Sequence, residues 1–234
     1  MDEKTPSPVE PKQTSPNDAS LDGRANTVES FLKKLAPYLP LNALPSLENW
    51  RGVKKENLTV LSVDVRGFTS LAEAIDPEDC VNMLNEYFHF AVDLVFQFGG
   101  EVDNFHGDGF MAIFRETAEG ETHERRAVKC ALRLREMAKN LNLPEISGDR
   151  IPLGMGLNSG VAALGHVGSR TRNHYTVIGD AVNVAQYLQR ISGPDQIILS
   201  GNTRLRMGTD VECSPLGYIR IKRRINRVEA FLVE

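Results

Sequence analysis

The sequence predicts an α+β fold with helices packed on one mostly antiparallel sheet, and three observations lead there. Leu58–Val65 (LTVLSVDV) is a short apolar, β-branched run with the pattern of a central strand. Glu101–Phe114 (EVDNFHGDGFMAIF) reads as two strands around a His-Gly-Asp-Gly turn, a β-hairpin. Stretches with apolar residues at helical spacing interleave with these strands, which builds one layered domain.

The elements follow in order. Residues 1–26 are rich in Pro, Ser, Thr, Asp and Lys with hardly any large apolar side chain, so they read as a flexible tail. Residues 27–57 read as a short N-terminal helix, with Val28, Phe31, Leu32 and Leu35 on one face, and a linker through Pro40 to Pro45. The catalytic-type domain is expected over 58–234. After the first strand, Arg66-Gly67-Phe68-Thr69 turns into a helix. Asp76-Pro77-Glu78-Asp79 then supplies an N-cap, a first-turn proline and acids at the positive dipole end. Cys80, Leu84, Tyr87, Phe88, Ala91 and Val95 recur until Gly99-Gly100 stops that helix. A further helix is expected from about His123 to Asn140, with Ala127, Cys130, Ala131, Leu134 and Met137 inward. Leu153–Leu157 and Val161–Ala163 suggest strands, Ala181–Ile191 a helix, and Gln196–Ser200 with Cys213–Glu234 the closing strands.

Composition narrows the function. With 234 residues, 41% apolar and 25% charged, the chain is of ordinary globular type. A net charge of −4 leaves no electrostatic footprint for nucleic acid or an anionic membrane. No apolar run reaches the ~20 residues of a membrane span. The three cysteines, Cys80, Cys130 and Cys213, match no zinc spacing. A cytoplasmic location with reduced thiols is expected.

Two acids carry the candidate chemistry. Asp64 ends the buried strand and Asp108 lies in the hairpin turn 44 residues later. A lone Asp at a strand end is more often a cap or turn residue. Here both stand beside glycines, where backbone approaches a phosphate closely. If the strand and hairpin are sheet neighbours, the carboxylates converge. Two hard oxygen ligands then suit Mg²⁺ or Mn²⁺ held jointly with a triphosphate. Gly67, Phe68 and Thr69 offer backbone N–H groups at a helix start as a phosphate cradle.

Three segments, VDVRGFTSL (63–71), GGEVDNFHGDGFMAIF (99–114) and YTVIGDAVNVAQYLQRI (175–191), together resemble the signature blocks of the class III adenylate and guanylate cyclases. The resemblance implies a ferredoxin-like α+β palm and a homodimer with active sites at the interface. It implies Asp64 and Asp108 as metal ligands with the Val65 carbonyl, for two Mn²⁺ or Mg²⁺ ions. It makes Asn183 the ribose-orienting residue and puts Lys222 near the phosphate-binding lysine, with Arg223 and Arg224 able to share that role. The implied reaction is attack of the ribose 3′-hydroxyl on the α-phosphate of a nucleoside triphosphate, with release of pyrophosphate.

The departures from the pattern concern the base. Adenylate cyclases carry a lysine on the hairpin and an Asp or Thr ahead of the third block; Asn104 stands at the first of these positions and Thr176 at the second, and the guanylate pair is also absent. An Asn amide both donates and accepts, which suits the edge of uracil or cytosine. A site that hydrogen-bonds a base edge rejects a wrong base by about 10⁴-fold or more. Tyr187 replaces the transition-state arginine, with Arg190 and Arg224 as substitutes, and Ser62 replaces a bulky Phe. A retained metal site with a non-purine pocket is similar to the bacterial Pycsar pyrimidine cyclases. That similarity implies cUMP or cCMP synthesis in antiphage signalling, a separate effector protein for the product, and UTP ahead of CTP. A purine cyclase with an atypical pocket and an inactive dimerisation module are the alternatives.

The other histidines have plainer readings. His106 is expected to pack the hairpin, and His89 and His123 to lie on helix surfaces. His166 and His174 are placed in a flexible dimer-arm loop, Leu164–Tyr175. The basic run Lys222–Arg227 is a solvated strand face or a triphosphate contact.

Overall fold

A computed structural model describes residues 52–118, 120–141, 151–169, 172–222 and 224–234. The expected tail at 1–26, the helix after it, and Arg223 lie outside the described residues. The first strand, β1 (Lys54–Val65), begins four residues before its apolar run, so residues 54–57 are strand and not linker.

The chain continues through α1 (Phe68–Ala74), α2 (Pro77–Gln97), β2 (Glu101–His106), β3 (Gly109–Arg115) and α3 (His123–Asn140). It closes with β4 (Leu153–Gly168), β5 (Asn173–Ile178), α4 (Asp180–Ile191), β6 (Ile197–Ser200), α5 (Gly201–Arg206), β7 (Cys213–Ile219) and β8 (Val228–Val233). The sheet order is β2-β3-β1-β4-β6-β8-β7, with β5 paired to the far half of β4. Only the β4–β6 pairing is parallel among the described strands.

Strand parity explains why β1 reads as one apolar run. Leu61, Val63 and Val65 face α2 and α3, packing with Met83, Tyr87, Ala91, Val95, Ala127, Ala131 and Leu134. Leu58 and Val60 point the other way, into a second cluster with Met111, Ile113, Ala162, Leu164 and the α4 residues Ala181, Val182 and Ala185. Helices therefore cover both faces, and a strand buried on both faces loses its polar alternation. Each fully buried Leu or Val contributes about 1.5–3 kcal/mol. The Asp76 side chain caps α2 by accepting from Glu78 N at 2.9 Å. At Gly156 the α4 backbone lies directly on β4: a Cβ there would sit 2.1 Å from Gln189 N.

Several expectations are corrected. The two short strands at 153–163 are one strand of 16 residues. Its polar middle is buried and bonded, Asn158 Nδ2 donating to Ala181 O at 3.0 Å and Ser159 Oγ lying 2.7 Å from Thr59 Oγ1. The arm expected as a loop is a β4–β5 hairpin, with His166 opposite Tyr175 and His174 opposite Val167. His123 is not on the surface. As the first residue of α3 it turns onto the sheet, is fully buried, and holds Thr59 Oγ1 at 2.7 Å through Nδ1. The six-residue α5, capped by Ser200, is too short for its periodicity to be legible.

Candidate active site

The register of β1 and β3 builds the site. Val63 lies opposite Phe110, so the Gly107-Asp108 turn falls beside the end of β1 and next to Asp64. Burial raises the pKa of Asp108, and the charge of Asp64 raises it further; backbone amides at Asp108 and Val65 and the charge of His106 pull it back. Gly109 makes the approach of the turn to β1 possible: a Cβ there would lie 2.5 Å from Val63 O and 3.2 Å from Asp64 Oδ1.

Two side chains complete the surroundings. Tyr87 of α2 is fully buried, and its hydroxyl has no hydrogen-bond partner among the described residues. Burial raises its pKa, with the charges of Asp108 and then Asp64 adding to the effect, so the ring edge lies in the field of both acids. Arg66 donates to Asp64 Oδ2 at 2.7 Å and ties that carboxylate to α4 through Gln189 O and Ser192 Oγ.

Asn104 and Thr176, far apart in sequence, are joined by a residue that the sequence reading passed over. Asp103 is 6% exposed and accepts from Thr176 Oγ1 at 2.7 Å, Val177 N at 3.1 Å and Asn104 Nδ2 at 2.9 Å. A register shift between Val102 and Asn104 turns Asp103 inward and bridges the hairpin to β5. Burial raises its pKa, opposed by the Thr176 and Val177 donors. An acid inside a hairpin strand is itself the signal that was available, because a buried charge requires donors. Asn104 Oδ1 lies 3.3 Å from Nδ1 of the exposed His106.

The remaining candidates form a separate group. Asn183 is exposed on α4, opposite the buried Val182, Val184 and Ala185. Tyr187 donates to Arg220 O at 3.3 Å, and Arg224 holds Asp180 with two bonds of 3.1 and 2.8 Å. Lys222 is exposed in the turn after β7. No hydrogen bond or ion pair among the described residues links these four to Asp64 or Asp108. A cleft of about 400 Å³ at the start of α4, lined by Asp180, Ser200, Asn202 and Arg224, also lies apart from the carboxylates.

The family model described as the Adenylate and Guanylate cyclase catalytic domain matches residues 52–234. The chain belongs to this family. It is 28% identical to adenylate cyclase 1 of Rhizobium meliloti over 92% of this chain and 34% of the relative. It is 29% identical to an adenylate cyclase of Mycobacterium tuberculosis over 90% of this chain and 47% of that protein. The chain thus spans a third to a half of these two relatives. Among solved structures, the guanylyl cyclase Cya2 superposes with a TM-score of 0.72 at 29% identity, covering 78% of this chain and 93% of that one. The adenylyl cyclase CyaB of P. aeruginosa gives 0.69 at 28% identity over 78% and 96%.

Class III cyclases use divalent metal ions, and the residues of this cyclase domain fit them. Two converging carboxylates with a raised Asp108 pKa form a site that a cation relieves. The Tyr87 hydroxyl, buried and without a hydrogen-bond partner among the described residues, lies in the field of both acids. Among the described residues no group of three or more His, Cys, Asp or Glu side chains is placed to hold a metal ion. That sparse set suits Mg²⁺ or Mn²⁺, which complete their shells with water and substrate phosphates. No described helix is long and apolar enough to cross a membrane.

Proposed function

We propose that this domain cyclises a nucleoside triphosphate to its 3′,5′-cyclic nucleotide and releases pyrophosphate. The placing of Asp108 beside Asp64 at the end of β1 carries this reading, with the turn-and-helix segment Gly67–Thr69 that would meet the phosphates following directly in the chain. When bound, divalent ions on Asp64, Val65 and Asp108 supply charge neutralisation and lower the pKa of the attacking hydroxyl. Asn183 orients the ribose, and Lys222 and Arg224 contact the phosphate oxygens. Tyr187, uncharged, contributes a hydrogen bond where charge would stabilise more.

The separation of the α4 group from the carboxylates within one chain supports a shared site. Each active site of a homodimer would join the acids of one protomer to Asn183 and its neighbours from the other. For the base, the lysine-free pair Asn104 and Thr176 supports a pyrimidine. UTP stands ahead of CTP on resemblance alone, with the cyclic product acting on a separate effector in antiphage signalling. A purine reading, ATP first, is favoured by the adenylate cyclases among the relatives.

Product analysis of the purified chain with Mn²⁺ and each of ATP, GTP, CTP and UTP tests the proposal, with Asp64→Ala as the blank. A dominant cUMP or cCMP peak is expected, and cAMP would select the purine reading. Silence with all four would overturn the catalytic reading and leave a dimerisation module. Mixing Asp64→Ala with Asn183→Ala protein should restore part of the activity; none from a verified heterodimer would refute the shared site.

A further inference from the structure

The carboxylate between the two base-reading candidates has a consequence for which base they accept. We infer that Asp103 sets the hydrogen-bond polarity of Asn104 and Thr176, so that the pair selects a base carrying an exocyclic amine: CTP over UTP among pyrimidines, ATP over GTP among purines. This rests on the proposed role of the two residues as base readers.

An ionised carboxylate only accepts. Thr176 has a single hydroxyl hydrogen and directs it to Asp103 Oδ2 at 2.7 Å, so toward any other group Thr176 can only accept. Asn104 directs one of its two Nδ2 hydrogens to the same oxygen at 2.9 Å, which turns its carbonyl Oδ1 away from Asp103, to 3.3 Å from Nδ1 of the exposed His106. Val177 N–H, a donor with no alternative role, occupies Asp103 Oδ1 at 3.1 Å. The buried Asp103 therefore leaves Thr176 Oγ1 as an acceptor only, beside Asn104 Oδ1 with the lone pair that His106 does not occupy and the second Asn104 Nδ2 hydrogen. An amino group satisfies the two oxygens. The O4 of uracil or the O6 of guanine meets the lone pairs of Thr176 Oγ1 instead and leaves that oxygen unpaired, with only the second Asn104 hydrogen to meet it. On this inference CTP precedes UTP, the reverse of the order that resemblance alone gives.

Asp103→Asn inverts the arrangement in a determinate way. Val177 N–H still requires an oxygen at its position, so the new amide nitrogen must face Thr176 and Asn104. It donates to Thr176 Oγ1, which frees the threonine hydrogen to point outward. It also forces the Asn104 amide to turn and present its own nitrogen. Two acceptors become two donors with almost no change in volume.

The test compares the wild-type chain with D103N for the affinities of all four triphosphates, by displacement of a fluorescent nucleotide in Ca²⁺, beside product formation in Mn²⁺. The wild type should rank CTP over UTP and ATP over GTP. In D103N both ratios should fall about tenfold or more, the effect of one reversed hydrogen bond. If D103N does not fold, Thr176→Val serves instead: loss of the acceptor should bring the two members of each pair together, while Thr176→Ser keeps the wild-type order. Oxo bases preferred by the wild type, or an unchanged order with all four uniformly weakened in D103N, would overturn the inference. Ranked binding without cyclic product would sink the cyclase activity and leave this inference standing, whereas no triphosphate binding would sink both.

Discussion

Replacing Gly109 by alanine tests the geometry on which the carboxylate site depends. The added methyl would stand 2.5 Å from the carbonyl oxygen of Val63, half an ångström inside the 3.0 Å below which real Cβ contacts essentially do not occur. The obstacle is backbone at the last pair of the β1–β3 ladder, Val63–Phe110, so no side-chain rotation relieves it. β1 and β3 must part, and Asp64 Oδ1, 3.2 Å from the same methyl, moves with them. Overpacking of this kind costs about 1–3 kcal/mol. In a domain of this size that is a fall of about 2–12 °C in Tm. Activity should suffer more, by about tenfold to a hundredfold, because a shift near 1 Å in the reacting geometry is worth about 10² in rate. Gly160→Ala is the control: its methyl meets only Ala181 Cβ at 3.6 Å, an ordinary contact, and should be tolerated. Thermal unfolding and cyclic-product formation are measured on both. Wild-type Tm and rate in Gly109→Ala would refute the tight approach of the strands at the acids.

Two further substitutions probe buried polar groups. Tyr87→Phe removes an unpartnered hydroxyl and should raise the metal-free Tm, since an unsatisfied buried group costs about 1–3 kcal/mol, while weakening Mn²⁺ binding measured by calorimetry. An unchanged Mn²⁺ affinity would show that the hydroxyl does not serve the carboxylates. His123 is held neutral: burial lowers its pKa, the charges of Arg206 and Arg126 add to this, and Glu124 and Glu116 oppose it. The unfolded chain therefore binds a proton more readily, and stability should be lost as pH falls through about 6.5. His123→Gln should flatten the Tm profile between about pH 7 and 5; an unaltered slope would assign the acid sensitivity to other groups.

The segments that were legible in the sequence are those whose chemistry is local. The Asp76-Pro77 start of α2, the Gly99-Gly100 stop and the hairpin turn at Gly107-Asp108 each depend on a few adjacent residues, and each stands where it was expected. The reading of β4 failed because its polar middle interrupts the apolar pattern, and only the partners Thr59, Ala181 and Thr203 make Asn158 and Ser159 interior residues. His123 was misplaced for the same reason, since its burial is decided by Thr59, 64 residues away.

The sequence by itself determined the chemical inventory: two acids at turn-and-strand ends, the Gly67–Thr69 turn into a helix, and Asn104 and Thr176 with no lysine at either position. Tertiary structure alone decided how those groups meet. The β1–β3 register brings Asp64 beside Asp108, and the β2 bulge turns Asp103 inward to bind Thr176 from β5, 73 residues on. Residue types set which hydrogens and charges are available, but the polarity that a hydroxyl or an amide shows a ligand depends on which partner has already taken its proton. In this fold that partner is Asp103, a contact that only the pairing of the hairpin with β5 creates.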